Sequence, residues 1–262
     1  MGFRLSHGQN LMDRIVYDRM AAHDSTHWWY RARRDILADY LTREGKLPVN
    51  AKILEIGCGT GHNLPMLGAF GTIDAIEIDP AAREIASARL GKPVSASPLP
   101  MLPDVPRGAY DLIAVLDVVE HIEDDIGALK AMAACLAPGG KILVTVPAHQ
   151  WLWSAHDVVN HHHRRYSKNT LAAAIAKAGL RHNGLRYFNS LLFPLAAAAR
   201  IVGRMTGKDD SDDSPPPPFL NAIFERIFRA ERHLLGRVPM SPGVSIVTLV
   251  SPLSPGSISA AL

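Results

Sequence analysis

Cysteine is scarce in this chain of 262 residues, which contains only Cys58 and Cys135. The first lies in a glycine-rich turn and the second in a predicted helix. Neither a disulfide framework nor a cysteine-based metal site is therefore expected. A chain that needs no disulfide suits a reducing compartment, and the sequence predicts a cytoplasmic protein.

An excess of charge of one sign is also lacking. The formal net charge is +3 and no long block of Lys or Arg occurs, so a nucleic-acid partner is not predicted. Residues 1–30 carry scattered charges in place of the apolar segment of a secretory signal. The apolar stretch 191–202 is shorter than the roughly 20 residues that a membrane span needs. A peripheral contact with the inner face of the membrane stays open.

What the chain does contain is a glycine-rich turn within residues 52–63. An apolar run, residues 53–56, stops at Gly57, Gly59 and Gly61, which predicts a buried strand, a tight turn and then a helix. The third glycine comes one residue earlier than in the G-x-G-x-x-G of dinucleotide folds. A turn that binds no ligand is the alternative interpretation.

Glu77 gives a second, independent indication of a ligand. It follows the glycines by about twenty residues and ends a predicted strand, where a carboxylate can accept both hydroxyls of a ribose. The alternative is an acid that caps the next helix. Asp79, placed directly before Pro80, is better suited to that task.

Further strands alternate with helices along residues 110–147. Residues 110–116 and 141–147 are apolar and bounded by polar positions, as in the centre of a parallel sheet. Residues 93–106 are rich in proline and allow at most one short strand near Val94. Asp117, Glu120 and His121 are expected to gather at the carboxyl edge of the sheet, where open α/β sheets bind ligands.

The segments 55–61, 110–112, 116–122 and 136–140 together resemble the motifs of class I S-adenosylmethionine-dependent methyltransferases, of the type 11/23-like kind related to the coenzyme Q O-methyltransferases. This resemblance implies an α/β, Rossmann-like sheet of seven mostly parallel strands with the last strand antiparallel and helices on both faces. S-adenosylmethionine is the expected cofactor. The expected cofactor-binding residues are Glu55, Gly57, Cys58, Gly59, Gly61, Glu77, Ile78 and Asp117.

Residues 148–166 are the candidate catalytic region. They resemble a bacterial methyltransferase subgroup with Trp-Ser-x-His-Asp followed by His-x-Arg-Arg-Tyr, although His161 stands where glycine is expected. His156 and His162 are candidate general bases for an acceptor hydroxyl, with Asp157 to orient an imidazole. A polar lid loop that carries no proton is the alternative. The histidines lack a recognised zinc spacing. The Asp-x-x-Glu-His at Asp117 resembles the acidic metal cluster of the coenzyme Q O-methyltransferases but also occurs in relatives without metal, so no metal is predicted.

Substrate contacts are expected from Trp153, Arg164, Arg165 and Tyr166. The two guanidinium groups could bind an anionic acceptor, or could equally pair with Asp157 and Glu120 inside the protein.

The predicted domains are a helical cap at 1–45, a core at 46–188 and 241–254, and an insertion at 189–240. The insertion combines an apolar segment, a proline-rich tether and an amphipathic segment at 219–235. It favours a small hydrophobic or lipid-like acceptor, with O-methylation preferred. The aromatic and basic residues 27–34 either close over a substrate or dock the cap. The rival functions are an NAD-binding oxidoreductase and a non-catalytic, cofactor-binding scaffold at a membrane complex.

Overall fold

The computed structural model describes residues 14–207, 215–240 and 242–253. Its strands are β1 (Ala51–Ile56), β2 (Gly71–Ile76), β3 (Tyr110–Leu116), β4 (Leu136–Pro147), β5 (Leu180–His182), β6 (Arg186–Phe188) and β7 (Ser245–Pro252). Its helices are α1 (Arg14–His23), α2 (Trp28–Tyr40), α3 (Leu64–Gly68), α4 (Pro80–Leu90), α5 (Asp125–Cys135), α6 (Ala155–Val159), α7 (Lys168–Lys177), α8 (Phe193–Thr206) and α9 (Pro218–Ala230).

The strands form one sheet in the order β2-β1-β3-β4-β7-β5, with β6 also paired to β7. Strands β1 to β4 are parallel, whereas β7 runs antiparallel to β4, β5 and β6. The predicted fold class is confirmed. The proline-rich segment contributes only a parallel bridge between Ile76 and Ser95, in agreement with the prediction of at most one short strand there.

Three element bounds differ from those that the sequence pattern predicts, which are a strand over 180–188, a helix over 64–70 and a Pro-Gly-Gly stop before a strand at 141–147. Residues 180–188 form two short strands because Gly184, at φ +120°, interrupts the extended backbone. The helix after the glycine turn ends at Gly68 and does not reach residue 70. The Pro-Gly-Gly segment at 138–140 lies within β4 as an irregularity, with Gly139 at φ +82°, and does not precede the strand.

The core lies on both faces of this sheet because successive strand residues point in opposite directions. Leu54, Ile113 and Val144 belong to the cluster covered by α5 and α7, while Ile53, Leu112 and Leu143 belong to the cluster covered by α2 and α9. Burial on both faces explains why these strands are continuously apolar.

The N-terminal cap and the insertion pack against each other. The Trp28 ring lies edge-on to Phe224 and Phe228 of α9, at centroid distances of 5.7 and 5.8 Å, and Phe228 stacks on Phe188 at 6.1 Å. Of the two roles expected for residues 27–34, closing over a substrate or docking the cap, Trp28 has the second. The cap before residue 14 and most of the predicted tether lie outside the described residues.

No helix in the described ranges has the length and apolarity needed to cross a membrane.

Candidate active site

The glycine turn joins β1 to α3 at the carboxyl edge of the sheet. The backbone amides of Gly57 and Cys58 both donate to the carbonyl of Ile76, at 2.9 and 3.0 Å, and this holds the turn against β2. Gly57 has φ +67°, and a Cβ there would lie 2.6 Å from Cγ2 of Val118. Any side chain at Gly57 would be strained and would clash, so the turn requires glycine. The lack of a side chain at Gly57 lets a ligand approach the backbone closely.

Glu55 lies buried beneath this turn. Its Oε1 accepts a hydrogen bond from Nδ2 of Asn63 (2.9 Å), whereas its Oε2 has no partner among the described residues. Burial raises the pKa of Glu55 to about 8. An unpaired oxygen in a buried position is costly, and a ligand that donates to it would remove this cost.

Glu77 follows β2 directly and faces the glycine turn. Its Oε2 accepts from the Gly59 amide (2.7 Å) and its Oε1 from the Asp79 amide (2.9 Å). Asp79 itself caps α4 by accepting from the Ala82 amide (2.8 Å), as predicted. The cap is therefore not the role of Glu77, and its carboxylate stays beside the glycines. Of the flanking candidates, Cys58 is buried and Ile78 is exposed.

Arg33 is a site residue that the sequence did not identify. It reaches from α2 into the sheet edge, is 2% exposed, and donates to Oδ2 of Asp117 (2.6 Å) and to Oγ1 of Thr145 (2.7 Å). Asp117 has φ +57°, an unusual conformation that turns the chain at the end of β3. The only signal was the basic character of residues 31–34, which does not tell which arginine turns inward.

The carboxyl groups at this edge fit a ligand that donates hydrogen bonds. Glu55 and Glu120 are buried near the guanidinium of Arg33, and Glu120 also lies near the buried guanidinium of Arg165. Burial raises the pKa of Glu55, Glu77 and Glu120, so these groups are suited to hydrogen bonding more than to a net negative charge. A ligand with hydroxyl and amino groups, as in S-adenosylmethionine, matches these carboxyl groups and the glycine backbone of the turn.

Two of the predicted catalytic residues form a hydrogen-bonded pair. Nδ1 of His162 lies 2.8 Å from Oδ1 of Asp157, which also accepts from Nε of Arg165 at 2.7 Å. Burial pushes the pKa of Asp157 upward, but the hydrogen bonds from His162 and Arg165 outweigh it and hold this pKa below its ordinary value. Asp157 is thus an anion that accepts, so Nδ1 of His162 is the donor in this hydrogen bond and Nε2 is the ring nitrogen that Asp157 does not engage.

Other histidines lie around this pair. The ring of His121 is 4.6 Å from that of His162 and edge-on to it, and the ring of His156 is 6.2 Å away. Burial, followed by the nearby His162, lowers the pKa of His121 to about 3. His121 is consequently neutral at physiological pH. The structure brings His156, Asp157 and His162 together, as the sequence predicted, and their catalytic role stays a prediction.

Glu120 is fully buried, and both of its carboxyl oxygens lack a partner within the described ranges. Burial, with Asp117 nearby, raises its pKa well above the ordinary value. One potential ligand atom from each of Glu120, His121 and His162 lies within 4.8 Å of the other two, a grouping that could hold a metal ion. The expectation of no metal stays a prediction.

The arginines after the histidine cluster have internal partners. Arg165 is bound to Asp157 and to the carbonyl of Ala148 (3.3 Å), and Arg164 pairs with Asp125 at 3.0 Å. The hydroxyl of Tyr166 donates to Oδ2 of Asp125 at 2.7 Å. Of the two roles open for the arginines, the structure shows pairing inside the protein. Of the two acids proposed as partners, Arg165 pairs with Asp157, and Arg164 pairs with neither.

The position of His161 explains how this loop turns without glycine. Its φ is +53°, in the left-handed region that glycine adopts most readily. Histidine tolerates this region better than most other side chains. The turn that the resemblance implied is therefore kept.

The insertion packs on the same loop. Arg204 of α8 donates to the carbonyls of Trp151 and Trp153, the latter at 2.9 Å. The Phe193 ring lies edge-on to Trp151 and to His149, at 5.9 and 5.5 Å. Through these contacts, α8 is a direct neighbour of the candidate catalytic loop.

A family model described as a methyltransferase domain matches residues 28–182, which is more than half of the chain. A ubiquinone biosynthesis O-methyltransferase of Bradyrhizobium diazoefficiens is 31% identical over 105 residues, covering 38% of this chain and 41% of that protein. One of the same name from Bordetella avium is 26% identical over 155 residues, covering 52% of this chain and 64% of that protein. The match thus spans about two fifths of the first of these relatives.

Solved structures show the same fold at low identity. An S-adenosylmethionine-dependent methyltransferase from Clostridium acetobutylicum superposes with a TM-score of 0.57 at 14% identity, covering 92% of this chain and 97% of the other. The [4+2]-cyclase SpnF superposes with a TM-score of 0.54 at 19% identity, covering 84% and 81%. The family match decides for S-adenosylmethionine against the NAD alternative. By its matched domain and its fold, the chain belongs to the class I S-adenosylmethionine-dependent methyltransferases.

Proposed function

We propose that this chain transfers a methyl group to a hydroxyl of a small, hydrophobic, lipid-like acceptor, with His162 as the general base. The observation that carries the proposal is the pair of Asp157 and His162, which lies at the same sheet edge as the glycine turn and Glu77. His156 is the second candidate base because its ring lies 6.2 Å from that of His162.

Gly57, Gly59 and Gly61 would hold the methionine part of the cofactor, Glu77 its ribose, and Asp117 the edge nearest the methyl group. The cofactor supplies an electrophilic methyl group on a sulfonium. The main task of the protein is orientation, which can contribute roughly 7 to 11 kcal/mol to lowering the barrier.

His162 adds proton transfer to this orientation. Its Nε2 would accept the proton of the acceptor hydroxyl, whose oxygen would take the methyl group in place of that proton. Asp157 fixes the tautomer and stabilises the imidazolium that forms. Arg165 and Ser154 in turn hold Asp157, since the Ser154 amide donates to its Oδ2 at 2.9 Å.

The apolar surface beside the loop supports a lipid-like acceptor. The outer face of α8 exposes Leu195, Ile201, Val202 and Met205, the last of them 81% exposed. This helix carries no acid that would repel the anionic inner face of a membrane. The curated relatives are named as ubiquinone biosynthesis enzymes, and this name agrees with such an acceptor.

Transfer of a labelled methyl group tests the proposal. The full chain is incubated with methyl-labelled S-adenosylmethionine and a metabolite extract, and the extract is then separated into organic and aqueous phases. We expect label in an organic-phase product whose new bond is a methyl ether, and loss of labelling with Glu77→Ala. Binding of S-adenosylhomocysteine with no transfer to extract, phenols or lipids would instead support a non-catalytic scaffold. Label on nitrogen or carbon would contradict O-methylation.

A further inference from the structure

Helix α1 lies directly on the predicted cofactor site. Tyr17 is only 6% exposed and its hydroxyl lies beside the Glu77 carboxyl group. Sδ of Met20 lies 3.1 Å from the position that a Cβ on Gly59 would occupy. One side chain of α1 thus contacts the carboxylate predicted to bind ribose, and the other lies against the backbone predicted to carry the methionine part.

The end of α1 is anchored next to the same turn. Asp24 is buried, forms an ion pair with Arg89 of α4, and accepts from Oγ1 of Thr60 at 3.4 Å. Its carbonyl accepts from Arg34 of α2 at 3.0 Å. The helix is therefore tied at its carboxyl end, while Tyr17 and Met20 lie one to two turns away from this anchor.

A nucleoside on Glu77 and a Tyr17 hydroxyl on Glu77 need the same space and the same acceptor oxygens. A carboxylate beside a buried tyrosine hydroxyl gains the kind of hydrogen bond that a ribose hydroxyl would give it. The two arrangements are alternatives. Only molecules in which α1 has moved away can bind cofactor. The apparent affinity is therefore the intrinsic affinity multiplied by the fraction of such molecules.

We propose that α1 is a gate on the cofactor site, in which Tyr17 replaces a ribose hydroxyl on Glu77 and Met20 covers Gly59, so that α1 must swing about Asp24 when cofactor binds or leaves. This inference rests on the proposed assignment of Glu77 to the ribose. The gate predicts that Tyr17 weakens cofactor binding. If Tyr17 were instead a permanent part of the pocket wall, it would strengthen cofactor binding.

Titration calorimetry of the full chain with S-adenosylhomocysteine tests the gate. Loss of a hydrogen bond to a carboxylate in the closed state should tighten the Kd by about 3- to 10-fold in Tyr17→Phe, and further in Tyr17→Ala. The matched control is Tyr110→Phe. It removes a hydroxyl bonded to Asp74 (3.1 Å) at the opposite sheet edge and should leave the Kd unchanged.

Hydrogen exchange of the amides in Arg14–His23 provides a readout on the unmodified chain. We expect exchange to become faster when S-adenosylhomocysteine is added, because the bound molecule displaces the helix. Slower exchange, or weaker binding by Tyr17→Phe, would overturn the gate while leaving the cofactor assignment intact. If neither the wild type nor Tyr17→Ala binds, the cofactor assignment itself fails and the gate with it.

Discussion

The glycine turn and the loop of residues 148–166 meet at one edge of the sheet, yet they are held by different forces. The turn is held by backbone hydrogen bonds, and it has no room for a side chain at Gly57. The loop is held by charged side chains, among them Asp157, His162 and Arg165. Steric demands on the backbone leave few sequence solutions, whereas a charge network can be built in many ways. This difference explains why the cofactor half is easier to recognise than the acceptor half.

Replacement of the base gives the largest expected effect. In His162→Gln, kcat should fall by about 10² to 10⁴, since a general base contributes about that much, while affinity for S-adenosylhomocysteine stays unchanged. The measurement is single-turnover methyl transfer together with a calorimetric titration. The control is His163→Gln, because His163 is the exposed neighbour in the same loop. Equal activity of the two variants would show that the loop is a lid and carries no proton.

The turn is tested by Gly57→Ala, which should lower methyl transfer by about 10²-fold through displacement of the cofactor. Strain at φ +67° and the 2.6 Å contact with Val118 should also cost about 1 to 3 kcal/mol of stability. Gly91→Ala is the matched control: its φ is +72° but nothing lies within 4 Å of the added Cβ, so only stability should fall. Normal turnover by Gly57→Ala would show that the turn does not require glycine at position 57. Thermal unfolding and steady-state kinetics give the two readouts.

The surface of α8 should give the smallest effect. Val202→Asp should reduce binding to anionic lipid vesicles by about 10-fold, because an apolar side chain no longer enters the interface. The free energy of unfolding should change by less than about 0.5 kcal/mol, as for other exposed positions. Val49→Asp is the control, since Val49 is 92% exposed and precedes β1 at the opposite edge. Equal vesicle binding by both variants, measured by co-sedimentation, argues against membrane contact through α8.

Much of the site could be predicted from local pattern. The positions of Glu77 and Asp117 followed from where the strands end, since parallel strands bring their carboxyl ends to one edge. The sequence offered Asp157 as a partner for an imidazole of His156 or His162, and the structure pairs it with His162. The partners of Arg33 and Tyr17 could not be predicted, because both side chains cross from the N-terminal helices to residues far along the chain. No periodicity of α1 or α2 encodes which strand end they meet.

The sequence by itself determined the family, the methyl donor and the sheet, because glycine requirements and buried strands are local properties that appear directly as residue types. Only the tertiary structure decided that Arg33 occupies the space between β3 and β4, that Arg165 serves Asp157, and that α1 covers the glycine turn. These contacts depend on how elements pack across the sheet edge. Many different side chains can satisfy a packing contact, so none of them leaves a fixed spacing in the sequence.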